Sequence, residues 1–127
     1  SMRLISLIAA AAIFAAAPNM VFAHSKVVSS TPAAEATVAR PRVVSMTFSE
    51  ALIPPTAAAS IVMTAMPGVK AHGEMVIRNF TIAWSNNNRT MTLELKQPLK
   101  TGTYEVRWQA AGADGHRMTG KVNFKVS

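Results

Sequence analysis

Residues 103–109 read "TYEVRWQ": Tyr104, Val106 and Trp108 alternate with the charged Glu105 and Arg107. Strict alternation of apolar and polar residues marks a strand with one face buried and one face in water. The same period recurs along the chain. In "RVVSMTF" (42–48) Val44, Met46 and Phe48 share a face; in "TMTLELK" (90–96) Met91, Leu93 and Leu95; in "KVNFKV" (121–126) Val122, Phe124 and Val126.

Turn chemistry separates these runs: Thr31-Pro32, Arg40-Pro41, Pro54-Pro55, Pro67-Gly68, Asn86 to Asn88, Thr101-Gly102 and Asp114-Gly115. No window carries an amphipathic helical period. "TAAAS" (56–60) has the composition of a helical turn, but it follows two prolines and is too short to stand alone. The expected fold is all-β, an antiparallel sandwich or barrel with Greek-key connections.

The first residues do not fit that pattern. Ser1-Met2 reads as an initiator methionine preceded by one extra residue; Arg3 is a short positive region, and Leu4 to Ala17 is an uninterrupted apolar run. Pro18-Asn19 breaks the run before "MVFA", so residues 1–23 are expected to be a secretory signal peptide cleaved after Ala23. The run is shorter than the roughly 20 residues of a membrane span, and no basic stop-transfer cluster follows it. One domain is then expected over residues 24–127, beginning at His24, exported and not inserted in a membrane once processed.

Composition narrows the chemistry. The chain has no cysteine, so methionine is its only sulfur, and an exported domain of this size must stand on its core without disulfides. The net charge of +7 is spread along the sequence with 6% aromatic residues, which reads as solubility and argues against nucleic acid as a partner. Weak attraction to an anionic surface stays open.

Three places carry donor groups. "IVMTAMPGVKAHGEMV" (61–76) holds Met63, Met66, His72 and Met75 around a Pro-Gly turn and a second glycine. Thioether sulfur with one imidazole suits Cu(I), whereas zinc would want thiolates, several imidazoles or carboxylates. Methionine also plugs core gaps. Met46 and Met91 lie in register with core residues and are expected inside; Met63 fits either role; Met66 and Met75 flank loop residues and read as ligands.

The second place is His24, whose α-amine and ring Nδ1 would chelate one ion once the signal is removed, an arrangement suited to Cu(II). A solvated terminal histidine is the plain alternative. The third is "GADGHRMTG" (112–120), where Asp114 and His116 would point to the same side if the segment were extended, completing a nitrogen and oxygen set begun by His24. An Asp-Gly turn with an incidental histidine fits the spacing equally. Together these places hold every histidine of the chain and suggest one site for each oxidation state of copper.

The stretches "HSKVVSSTPAAEATV", "MTFSEAL", "MTAMPGVKAHGEM", "LKTGTYEVRWQAAGADGHRMTG" and "VNFKV" closely resemble the CopC family of periplasmic copper-resistance proteins over essentially all of residues 24–127. The resemblance implies a cupredoxin- or immunoglobulin-like Greek-key β-sandwich without catalytic activity that binds copper in the periplasm. It assigns His24, Asp114 and His116 to a Cu(II) site, and Met63, Met66, His72 and Met75 to a Met-rich Cu(I) segment. It also implies a carrier or buffer with a CopD-like inner-membrane protein and a periplasmic multicopper oxidase as partners; a monomer is expected. Two departures bear on this. Val69 stands where relatives have a further methionine, in an interval one residue longer, and Arg117 replaces a proline.

Two other classes compete. A copper-dependent oxygenase also uses an N-terminal histidine chelate, as in lytic polysaccharide monooxygenases, but this chain is small and has few aromatic residues for a carbohydrate-binding face. A non-metal adhesion or assembly sandwich would make the histidines incidental.

Overall fold

The computed structural model describes residues 26–70 and 73–127. The expected signal peptide, His24 and His72 lie outside the described residues. Among the described residues nine strands run in chain order: β1 (Val27–Thr31), β2 (Thr37–Val38), β3 (Val43–Phe48), β4 (Leu52–Ala65), β5 (Met75–Ile77), β6 (Phe80–Ser85), β7 (Thr90–Leu95), β8 (Gly102–Gly112) and β9 (Arg117–Val126). They form two sheets, β1-β3-β7-β6 and β2-β9-β8-β4-β5, with no helix among the described residues.

The chain passes from β3 in one sheet to β4 and β5 in the other, returns for β6 and β7, and crosses again to β8 and β9. Strand β7 thereby pairs antiparallel with β3 across a gap of three strands, the Greek-key return. The all-β sandwich expected from the alternation is the fold. One pair departs from the antiparallel rule: β2 runs parallel to β9, through Thr37↔Lys125 and Val38↔Val126. Such a short contact at a sheet edge needs no crossover helix.

The four alternating runs supply the core. Val44, Met46, Phe48, Met91, Leu93 and Leu95 from one sheet face Tyr104, Val106, Trp108, Val122, Phe124 and Val126 from the other, all buried. Phe48 meets Trp108 across the sheets edge to face, ring centroids 4.7 Å apart at 74°, and Tyr104 stacks on Phe124 at 5.6 Å. Burial of these apolar side chains is the main stabilising term of a sandwich without disulfides, and the aromatic pairs add to it. Tyr104 also donates its hydroxyl to the Lys100 carbonyl at 2.6 Å, which satisfies its buried polar atom.

One local reading changes. Pro54-Pro55 lies inside β4 rather than forming a turn, and "TAAAS", too short for a helix, continues the same strand. The pairing of β4 with β8 breaks between Ile53 and Ala58, and β5 covers only Ile61 to Met63 on the other side. The prolines therefore occupy an irregular, unpaired stretch where their missing N–H costs no ladder bond. Thr56 spans it, donating its hydroxyl to the Ile53 carbonyl and accepting from the Ala111 N–H.

Candidate metal centres

The long strands β4 and β8 set the distance between the donor groups. Leu52 pairs with Gly112 at one end of β4, and Met63 pairs with Tyr104 near the other. Eleven residue steps of strand separate Leu52 from Met63, about 35 Å when extended. The carboxylate and imidazole of the β8–β9 hairpin and the methionines after β4 therefore sit at opposite ends of the sandwich.

At the first end the β8–β9 hairpin turns through Ala113 to His116. Gly115 adopts φ +81, a conformation that a Cβ would strain, and its N–H bonds the Gly112 carbonyl. Asp114 Oδ1 accepts from the His116 backbone N–H at 3.0 Å, and Asp114 Oδ2 lies 3.2 Å from His116 Nδ1. The segment is a turn and not an extended strand, so the two side chains meet through this local hydrogen bond rather than by sharing a strand face. Both are exposed, and a contact at Nδ1 leaves Nε2 as the ring nitrogen directed away from the carboxylate.

The beginning of the described chain lies at the same end. Lys26 is held to Ser49 twice, by its N–H to Ser49 Oγ at 3.1 Å and by its carbonyl to the Ser49 N–H at 2.9 Å. The next residue, Glu50, rests its carboxylate against Gly112, where an added Cβ would overlap it. Glu50 is not among the candidates named from sequence: it stands there as an acidic residue, one of six in the chain, in the short connection of "MTFSEAL". Among the described residues no three His, Asp or Glu side chains converge as a metal-holding cluster.

At the second end Met63 is buried in the core cluster, its methyl packed towards Gly102. Met75 is its direct partner across β4 and β5 and is 52% exposed. Opposed residues of an antiparallel pair point to one face, so the two thioethers share a side of the sheet. Met66 is partly buried against the core and forms an isolated bridge with Val69, closing the Pro67-Gly68 turn. It also lines a groove of about 380 Å³ with Gly102 and Val126. Met46 and Met91 are core residues, as their register predicts.

The segment leading into β5 is fastened from outside. Arg107 Nη2 donates to Glu74 Oε2 at 2.7 Å, and Arg107 Nε lies 3.5 Å from Glu105 Oε1, which is also 3.6 Å from Lys121 Nζ. The hydrogen bond from Arg107 and then its charge hold the Glu74 carboxyl below its ordinary value.

The fold and these donor groups define a two-sheet Greek-key sandwich with nitrogen and oxygen donors at one end and thioethers at the other. The CopC domain family matches residues 27–127, and the chain belongs to that family. It is 41% identical over 104 residues to copper resistance protein C of Pseudomonas syringae pv. tomato, covering 82% of this chain and 81% of that protein. Copper resistance protein C of Xanthomonas campestris pv. juglandis is 34% identical, with 83% and 81% covered. Among solved structures, PcoC, described as a methionine-rich copper resistance protein from Escherichia coli, is 34% identical. It superposes with a TM-score of 0.73 over 83% of this chain and 100% of its own.

Proposed function

We propose that this chain is a non-enzymatic periplasmic copper-binding protein that buffers or carries copper in copper resistance, holding Cu(II) at one end of the sandwich and Cu(I) at the other. The relatives' names supply the metal and the resistance role. The observation that carries the two-site reading is the register of β4 and β8, which keeps the Asp114–His116 pair and the methionines apart.

For Cu(II), His24 with its α-amine, Asp114 and His116 form the donor set. Two residues of chain upstream of Lys26 span at most about 7 Å, and Lys26 is anchored beside Glu50, which packs on the base of the hairpin carrying Asp114 and His116. Asp114 orients the His116 ring besides offering oxygen, and Glu50 adds negative charge near the incoming cation. For Cu(I), Met63, Met66, Met75 and His72 offer three thioethers and an imidazole, a soft set without charge. Copper would enter and leave by ligand exchange. The CopD-like inner-membrane protein and the periplasmic multicopper oxidase implied by the family resemblance would be the exchange partners of a monomer.

The test is a competitive titration of the protein beginning at His24, with Cu(II) and separately with Cu(I), against chelators specific for each state. One equivalent of each, bound independently, is expected. Uptake of Cu(II) alone would leave a single-site binder, and uptake of neither after dialysis would favour an adhesion or assembly sandwich.

A further inference from the structure

Strand β5 is three residues long, lies at the edge of its sheet and begins at Met75. Its pairs with β4 are Ile61↔Ile77, Val62↔Val76 and Met63↔Met75. The last pair of such a short edge strand opens most easily, because no ladder bond beyond it shares the load. Met75 is that last pair, and the segment before it turns through Gly73 at φ +73.

Glu74 stands between that turn and Met75. Side chains of successive extended residues point to opposite faces, so when Met75 is turned to the face of Met63 its neighbour is directed to the other side. There Glu74 is gripped at 2.7 Å by Arg107, from the central strand β8, which lies between β4 and β9 and pairs with both around Arg107. Glu105 and Lys121 extend the network behind Arg107.

Resting on the Cu(I) reading above, we infer that Glu74 and Arg107 are positioning residues of the soft site. Their ion pair fastens the open end of β5 so that the Met75 thioether stays across from Met63, and it releases that end when the charges are screened. Both side chains are exposed, so the fastening is weak and reversible. That suits a ligand which must admit and release a cargo ion. Cu(I) affinity is therefore set partly by two residues that never touch the metal, and it falls as ionic strength rises, although thioether ligands carry no charge of their own.

The test measures Cu(I) affinity against a chromogenic Cu(I) chelator, without oxygen, for the wild-type protein and for Glu74→Gln, Arg107→Gln, the double variant and Arg107→Lys. Each single neutral variant should bind Cu(I) a few-fold more weakly, at most about fivefold. The double variant should be no weaker than either single one, and Arg107→Lys should keep part of the affinity. Raising salt from about 0.02 M to about 0.5 M should weaken the wild type by a similar factor and leave the neutral variants unmoved. Cu(II) affinity should be the same in all.

Unchanged Cu(I) affinity, fully additive losses, or an equal loss of Cu(II) would overturn the inference while leaving the soft site standing. No Cu(I) uptake by the wild type would remove the soft-site reading itself, and this inference with it.

Discussion

Met63 and Met75 stand directly opposite each other across β4 and β5, yet Met63 is 4% exposed and Met75 52%. One sulfur belongs to the core and the other to the surface, so the two should respond differently to truncation. Met63→Ala should cost about 2–5 kcal/mol of stability by emptying a packed site, whereas Met75→Ala should change stability by no more than about 0.5 kcal/mol. Denaturant midpoints separate them, and both variants should lose Cu(I) affinity. A cheap Met63→Ala would mean that Met63 is not a packing residue.

Asp114 touches His116 at its backbone N–H and at Nδ1. Asp114→Ala removes the proposed oxygen donor together with the group beside the imidazole, and should weaken Cu(II) at least roughly tenfold. Cu(I) affinity should be unmoved, because the methionines lie at the far end of β4. Parallel titrations with the two ions decide this, and a matching loss of Cu(I) would contradict two independent sites.

Tyr104 is fully buried, and its phenol is raised above its ordinary value of 10.0, chiefly by burial. A raised value means that the folded protein keeps a proton the unfolded chain has lost. Its contribution is complete below about pH 10 and disappears as pH climbs through the folded-state value. Thermal melts of the wild type should fall in that alkaline window more steeply than those of Tyr104→Phe. The variant should pay about 1 kcal/mol at neutral pH for the lost bond to Lys100. Parallel alkaline limbs would show that another group governs the fall.

Gly120 lies opposite Trp108 across β8 and β9, and a Cβ there would come within 2.7–2.8 Å of the indole ring. Gly120→Ala must push the ring off its seat against Phe48, at about 1–3 kcal/mol. A lowered unfolding midpoint with altered tryptophan emission is expected. Unaltered stability would mean that the ring has room to move.

The sandwich was legible because the alternation at Val44 to Phe48, Met91 to Leu95, Tyr104 to Trp108 and Val122 to Val126 is itself the physical cause of a half-buried strand. Pro54-Pro55 misled because proline breaks a paired ladder but is tolerated on an unpaired stretch, and whether β4 is paired there depends on the break in its ladder with β8 and on how far β5 reaches. The donors were legible as chemistry: sulfur, imidazole and carboxylate announce their preferences wherever they lie. The outer grip of Arg107 on Glu74 was not, because thirty-three residues of chain separate the two.

By itself the sequence determined which residues alternate, where most of the turns fall and which soft and hard donor groups the chain carries, since these follow from local sterics and side-chain chemistry. Tertiary structure alone decided that Met63 is buried and Met75 exposed, that Glu50 rests on Gly112, and that Asp114 and His116 lie at the other end of the sandwich from Met63, Met66 and Met75. Those facts depend on strand register, which is fixed by packing two sheets over one core rather than by any residue and its neighbours.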